Sequence, residues 1–175
     1  INYLYETYHV TLKNIHNFIA DVDVSSTNAK VSIINNYYKP EIVNYGGKSF
    51  IGAKEMRHPI VEKINTEIEY VTNDVTLNKD GILLFGTNAC GKSTFMKAIG
   101  LNLIMAQAGL YVACSEFKYF PYTQIFTRIL NNDNIFKSES SFAVEMNELR
   151  GIINRADDSS LVLGDELCSG TETNS

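Results

Sequence analysis

The chain has 175 residues, of which 45% are hydrophobic and 20% charged, and its formal net charge is −5. These proportions are typical of a globular protein, and no apolar run approaches the ~20 residues that a membrane-spanning helix needs. The negative charge argues against a surface for nucleic-acid phosphates within these residues. The cysteines Cys90, Cys114 and Cys168 lack C-x-x-C spacing, which indicates neither a zinc site nor a disulfide framework and favours a reduced, intracellular setting.

The first 36 residues are predicted to be helical. They contain no proline or glycine, and Leu4, His9, Leu12, Ile15 and Ile19 recur near helical spacing. A break near Asp21–Asp23 is expected. Pro40 and the glycines at 46 and 47 indicate a boundary between residues 40 and 50, so we predict a helical segment over 1–45 and a second unit over 46–175.

The second unit alternates short β-rich runs with helices. Strands are predicted at SFIGAK, IEYVTNDVTL, GILLFG, YVACSEFKYF, QIFTRIL and SLVLGDEL, with MRHPIVEKI as a loop between the first two. One helix is predicted from Lys92 to about Gln107, ended by Gly109, and another from Ser141 to Arg155 with one apolar stripe. This order of elements predicts an α/β domain. Because the chain starts at Ile1 and stops soon after an apolar run, we expect an internal fragment of a longer protein.

The segment GTNACGKST, between the predicted strand GILLFG and the Lys92 helix, has the spacing of a phosphate-binding loop. Gly86 and Gly91 would let backbone N–H groups turn inward around phosphate oxygens, and the helix would add the dipole of its N-terminus. Lys92 would reach the β- and γ-phosphates, and the Ser93 hydroxyl would bind Mg²⁺. The alternative is a glycine-containing turn that binds nothing.

Two adjacent carboxylates, Asp165 and Glu166, follow the last predicted strand. Ligands of open α/β sheets bind at the carboxyl ends of the strands, so this position favours a site. Asp165 would hold Mg²⁺ through its water shell, and Glu166 would orient or deprotonate the attacking water. A plain polar turn is the alternative.

The segment SESSFAVEMNE begins the second helix. Ser138, Ser140 and Ser141 are helix N-cap candidates, and this is the interpretation that the pattern alone favours. The same hydroxyls and N–H groups could instead meet a γ-phosphate presented by another subunit.

These ordered motifs, together with RHPIVE, YVTND, MAQAGLYV, FTRI and LVLGDELCSGT, resemble the MutS family of DNA mismatch-repair ATPases. The resemblance covers most of the chain. It implies an incomplete ABC-type P-loop NTPase domain over 46–175, truncated after the Walker B strand, and implies that 1–45 is the end of the core and lever helices.

The resemblance also implies roles for individual residues. Tyr70 corresponds to the aromatic residue that stacks on adenine, with Val71 beside it and Asn73 near the base edge. Ser140 corresponds to the serine that acts in trans on the partner's nucleotide, Lys92 and Glu166 to catalytic residues, and Ser93 and Asp165 to Mg²⁺ ligands. The phosphate loop corresponds to Gly86, Thr87, Asn88, Ala89, Cys90, Gly91, Lys92, Ser93 and Thr94. The implied cofactors are ATP or ADP and Mg²⁺.

Members of this family work as dimers on DNA, which implies three partners for the full-length protein: mispaired double-stranded DNA, a second MutS-like subunit (identical or not) and a downstream repair factor. A DNA-associated intracellular location and no membrane partner are implied as well. We expect the isolated 175 residues to bind nucleotide weakly at best and to hydrolyse almost none.

The sequence also departs from the family pattern. Thr87, Ala89 and Cys90 replace the usual Pro, Met and Gly, Ala143 replaces Met, and Cys168-Ser169 replace Gly-Arg. No catalytic group is lost, so these changes indicate a divergent branch. Two alternatives share part of the motif set: another ABC-type ATPase that organises or recombines chromosomes, and a module in which ATP only switches conformation.

Overall fold

The computed structural model describes residues 2–44, 46–64, 67, 69–78, 80–129 and 141–167. The helices are α1 (Asn2–Asn35), α2 (Val61–Ile64), α3 (Lys92–Gln107) and α4 (Ser141–Arg155). The strands are β1 (Glu41–Ile42), β2 (Phe50–Met56), β3 (Asn73–Leu77), β4 (Glu116–Phe120), β5 (Gln124–Arg128) and β6 (Ser160–Gly164). The described residues therefore form a mixed α/β structure, as predicted. None of their helices is long and apolar enough to cross a membrane.

Helix α1 is a single unbroken helix of 34 residues. The predicted break near Asp21–Asp23 is wrong, because both carboxylates are exposed and stay hydrated, so they cost the helix only a few tenths of a kcal/mol each. The helix ends at Asn36, whose φ of 51° is left-handed. The Asn36 N–H then bonds the Ile33 carbonyl and the Tyr37 N–H bonds the Ser32 carbonyl, which is the Schellman pattern of helix ends.

The larger sheet has the strand order β1-β4-β2-β3. Strand β2 runs antiparallel to both β4 and β3, and β1 runs parallel to β4. Ile51 faces Tyr119 across one pair and Ala53 faces Phe117, and all four side chains are buried. The predicted strand IEYVTNDVTL is shorter than expected, because regular pairing begins only at Asn73.

Helix α3 contacts both β2 of the larger sheet and β6 of a second, two-stranded sheet. Met96, Ile99, Leu103 and Ala106 from this helix are buried in the core. Gly109, with φ of 79°, ends the helix by donating its N–H to the Ala106 carbonyl. Both ends of α3 match the sequence prediction, since a glycine lies at each boundary.

The second sheet pairs β5 with β6 in parallel, with Gln124 opposite Ser160 and Arg128 opposite Gly164. Helix α4 lies between the two strands in the sequence and contacts β5. Two parallel strands joined through a helix form the unit expected of α/β proteins. The carboxyl end of β6 thus presents residues 165 and 166 beside the carboxyl end of β5.

The predicted strand GILLFG is wrong. Residues 81–86 form no regular element and pair with no strand in the described part of the chain, and Leu83 and Phe85 are 87% and 90% exposed. An apolar run becomes a strand only when neighbouring strands satisfy its N–H and C=O groups, and periodicity cannot supply those neighbours.

Candidate functional site

The loop over residues 86–91 leads directly into α3, and all of its residues are exposed. Gly91 has a left-handed φ of 93°, where a Cβ is strained, and Gly86 approaches Cys90 so closely that a Cβ there would lie 3.0 Å from the Cys90 sulfur. Ala89 also has a left-handed φ, of 61°, at a cost of about 1–2 kcal/mol. Cys90 itself has no positive φ, so its replacement of glycine needs no strained backbone.

The N-terminus of α3 is available to an anion. No side chain caps this end, since the N-cap residue is Gly91. The first N–H groups of an α-helix have no partner within the helix, and here they belong to Lys92, Ser93 and Thr94. Together with the helix dipole, these groups favour a negatively charged ligand.

The Lys92 ammonium folds back over the loop. Its Nζ donates to the Gly86 carbonyl oxygen at 2.9 Å and to the Thr87 carbonyl oxygen at 2.8 Å. The carbonyl groups of the loop therefore hold the Lys92 cation against the loop.

Asp165 and Glu166 follow β6 at its carboxyl end. The Asp165 N–H donates to the Arg128 carbonyl oxygen of β5 at 2.8 Å, which fixes the start of this turn. Asp165 is half-buried, whereas Glu166 is exposed and has a left-handed φ of 48°. Left-handed non-glycine residues are uncommon and concentrate at functional sites.

A cavity of about 920 Å³ lies between residues 81–84, the first turns of α3 and β6. Lys92 borders it, whereas residues 86–91 and Ser93 do not. Asp165 and Glu166 also border it, and its apolar walls include Ile82, Leu84, Met96 and Leu163. The structure thus brings a cation and two carboxylates from distant parts of the sequence to one cavity. Hydroxyl and carboxylate oxygens such as those of Ser93 and Asp165 are the ligand type that Mg²⁺ prefers.

The predicted adenine-binding residues lie elsewhere, immediately before and at the start of β3. Tyr70 is half-buried, and burial raises the pKa of its phenol. Val71 is 78% exposed, and its carbonyl oxygen accepts a bond from the Asn73 side chain at 3.2 Å. None of the three borders the 920 Å³ cavity. The predicted trans-acting residue, Ser140, lies outside the described residues.

Sequence reasoning assigned no role to Arg57, Glu62 or Asn102. Asn102 is fully buried, and its side chain makes three hydrogen bonds within the core. An asparagine inside the apolar run GLNLIMAQ was the signal that could have identified it, because a buried amide must find partners. The sequence presents Arg57 only within the RHPIVE motif, which by itself indicates no role for this arginine.

The family model and the relatives found by comparison with known proteins all belong to one family. The model of MutS domain V matches residues 82–175, more than half of the chain. A mitochondrial DNA mismatch repair protein mutS homolog of Sarcophyton glaucum is 41% identical over 187 residues, covering 99% of this chain and 19% of the relative. A putative DNA mismatch repair protein mutS homolog of Acanthamoeba polyphaga mimivirus is 37% identical, and the match covers 96% of this chain and 18% of the relative. The DNA mismatch repair protein MutS of Finegoldia magna is 41% identical, and the match covers 93% of this chain and 19% of the relative. The chain spans about a fifth of the length of these relatives.

Proposed function

Because the chain belongs to the MutS family, we propose that it is the nucleotide-binding part of a DNA mismatch-repair protein and that its site binds and hydrolyses Mg-ATP. The observation that carries this proposal is the convergence of Lys92, the uncapped start of α3, Asp165 and Glu166 on one cavity. A phosphate chain needs cations and N–H donors, and its hydrolysis needs carboxylates close by.

We also propose which parts of the family's fold the two segments of the chain form. Residues 46–175 would be the first part of an ABC-type P-loop NTPase domain, and residues 1–45 the end of the family's core and lever helices. The order of strands and helices in the described residues, with α4 between the parallel strands β5 and β6, supports this assignment.

Phosphate binding would use the loop from Gly86 to Thr94. The free N–H groups of the loop and of the first turn of α3 would hold the phosphate oxygens, and Lys92 would exchange its two carbonyl acceptors for the β- and γ-phosphates. Ser93 and Asp165 would hold Mg²⁺, which neutralises charge between the phosphates. Tyr70 would stack on the adenine, with Val71 and Asn73 at its edge.

Hydrolysis would depend on Glu166. Its exposed carboxylate borders the cavity and would orient the attacking water and accept its proton. Asp165, held through its N–H by Arg128, would stay on the Mg²⁺ side. Ser140 of a second MutS-like subunit, identical or not, would approach the γ-phosphate, so the complete site would require a dimer.

In the full-length protein, we propose that this cycle is coupled to mispaired double-stranded DNA. Nucleotide exchange after mispair recognition would convert the dimer into a sliding clamp that a downstream repair factor reads. The protein would accordingly be associated with DNA inside the cell. The relatives named above, which are mismatch-repair proteins, support this assignment.

The proposal is tested with Glu166→Gln in the full-length protein. We expect ATP affinity to remain within about threefold while kcat falls about 100-fold or more, because the amide cannot accept a proton. Glu55→Gln is the matched control, since Glu55 is an exposed glutamate with a similar left-handed φ of 47°. Unchanged steady-state ATPase activity in Glu166→Gln would exclude the role of Glu166.

A further inference from the structure

The C-terminal end of α1 carries no basic residue in its last turn. A helix of 34 residues nevertheless concentrates partial negative charge on its final carbonyl groups. The missing cation comes from another element: Nη2 of Arg57 donates to the Asn35 carbonyl oxygen at 3.2 Å and to the Asn36 carbonyl oxygen at 3.1 Å. Arg57 therefore caps a helix that lies about twenty residues before it.

The guanidinium of Arg57 is fixed on its other side. Nη1 pairs with Glu62 Oε2 at 3.0 Å, and the Glu62 side chain is only 6% exposed. The Tyr37 hydroxyl donates to the second Glu62 oxygen at 2.9 Å, and the Tyr37 ring lies 5.6 Å from the guanidinium carbon. Burial and the adjacent Glu62 raise the pKa of Tyr37, so its hydroxyl keeps the proton that it donates. Charge-assisted bonds and a cation–π contact thus hold Arg57 in one orientation.

The backbone of Arg57 is bonded to α3. The Asn102 amide donates to the Arg57 carbonyl oxygen at 3.0 Å and to the Ala98 carbonyl oxygen at 2.9 Å. The Asn102 side-chain oxygen accepts the Ala113 N–H at 2.8 Å, and the Arg57 N–H donates to the Ala113 carbonyl oxygen at 2.8 Å. Since Asn102 is fully buried, breaking these bonds would leave polar groups without partners.

A second connection joins α1 to the segment that follows α3. The Asn28 amide donates to the Gly109 carbonyl oxygen at 3.4 Å, and the Asn28 side-chain oxygen accepts the Tyr111 N–H at 3.4 Å. Large apolar side chains are exposed along both halves of α1, from Phe18 at 68% to Ile33 at 78%. The contacts of Asn28 and Arg57 therefore connect the second half of α1 to α3 and to the segment that follows α3.

Helix α3 begins at Lys92 in the phosphate loop and reaches Asn102 about 15 Å further along its axis. We infer that Arg57 is the positioning residue that transmits a displacement of α3, caused by nucleotide at its N-terminus, to the C-terminal turns of α1. The path runs from the phosphate loop through α3 to Asn102, then to Arg57, and through its guanidinium to the carbonyl groups of Asn35 and Asn36. This inference rests on the proposed nucleotide site.

Hydrogen exchange of the full-length protein tests the path, with and without a non-hydrolysable Mg-ATP analogue. In the unsubstituted protein, we expect analogue binding to change amide exchange at residues 32–37 by about fivefold or more. In Arg57→Ala this change should fall below about twofold, while the affinity for the analogue stays within about threefold. Arg150→Ala, which removes an exposed arginine of α4, is the matched control and should respond as the unsubstituted protein does.

A purely structural role for Arg57 would raise exchange equally in both ligand states and leave the response to the analogue intact, and that result would overturn the inference. Where Arg57→Ala fails to fold, Arg57→Lys decides: lysine keeps the charge but not the planar fork, so the response should fall at least about twofold. A full response in Arg57→Lys would then overturn the inference. Analogue binding without any response at residues 32–37 would also overturn it. Failure of the unsubstituted protein to bind the analogue would instead overturn the proposed function, and the inference with it.

Discussion

At the scale of single residues, the candidate site combines strained backbone with free donors. Ala89 and Glu166 have φ values of 61° and 48°, in a region that side chains other than glycine and asparagine rarely occupy. Ala89 lies in the loop before α3, and Glu166 follows β6. Strain of this kind persists only where the surrounding structure maintains it. Asn36 and Glu55 have similar φ values away from the cavity, so the geometry at the cavity, and not the φ values alone, identifies the candidate site.

The loop also contains a reactive probe, Cys90, which is exposed, whereas Cys114 is 1% exposed. Burial raises the pKa of the Cys114 thiol to about 12, and only the thiolate is alkylated. In the full-length protein with iodoacetamide at pH 8, Cys90 should react about 100-fold faster than Cys114, and Mg-ATP should slow the reaction of Cys90 but not that of Cys114. Peptide mapping by mass spectrometry measures both rates. Equal rates would contradict the burial of Cys114, and a lack of protection by Mg-ATP would contradict nucleotide binding at the loop.

The buried thiol of Cys114 also makes the free energy of unfolding depend on pH in alkaline solution. Because the pKa of Cys114 rises from 9.0 to about 12 on folding, its neutral form favours the folded state fully below pH 9. That contribution is lost as pH rises from 9 to 12, when the unfolded chain ionises first. In alkaline solution, Cys114→Ser should therefore show a weaker dependence of the unfolding free energy on pH than the unsubstituted chain.

At the scale of elements, local signals predicted helices better than strands. The bounds of α3 and α4 match the sequence prediction, because their glycine and serine boundaries and their apolar periodicity lie within the segments themselves. Residues 81–86 were wrongly predicted as a strand, since a strand depends on neighbours that no local pattern specifies. The spacing of Gly86, Lys92 and Ser93 predicted the candidate loop, but not the return of the Lys92 ammonium to the loop carbonyl groups, which depends on the folded loop.

The contact between α3 and β6 makes an element-level prediction. A Cβ on Gly100 would lie 2.6 Å from Cδ1 of Leu163, whose side chain is buried, so one of the two must shift. Gly100→Ala should therefore push α3 from β6 and lower the free energy of unfolding by about 1–2 kcal/mol. Gly151→Ala is the matched control, because its Cβ would only touch Arg155 at 3.8 Å.

Gly151→Ala should raise the free energy of unfolding by about 0.5–1 kcal/mol, since alanine loses less backbone entropy in a helix than glycine does. Urea denaturation of the two variants and the unsubstituted chain measures both changes. A Gly100→Ala chain as stable as the Gly151→Ala chain would show that α3 does not pack on β6 at this distance.

At the scale of the whole molecule, α3 is the element that joins the parts. It begins directly after the candidate phosphate-binding loop, packs on both sheets, and is bonded through Asn102 and Arg57 to the end of α1. The sequence indicated a helical unit and an α/β unit but not this connection, because its contacts join residues that are 22 to 45 positions apart. These contacts are the basis of the coupling that we propose between an anion at the start of α3 and the end of α1.

Calorimetry on the full-length protein with Lys92→Ala tests most directly whether the loop over residues 86–94 binds Mg-ATP. The matched control is Lys97→Ala, an exposed lysine on the same helix. Because charge-assisted bonds contribute about 1.5–3 kcal/mol, we predict that Lys92→Ala raises the Kd for Mg-ATP at least about 10-fold while Lys97→Ala changes it less than about twofold. Equal affinity for Mg-ATP in the Lys92→Ala and unsubstituted proteins, or no binding by either, would contradict Mg-ATP binding at this loop.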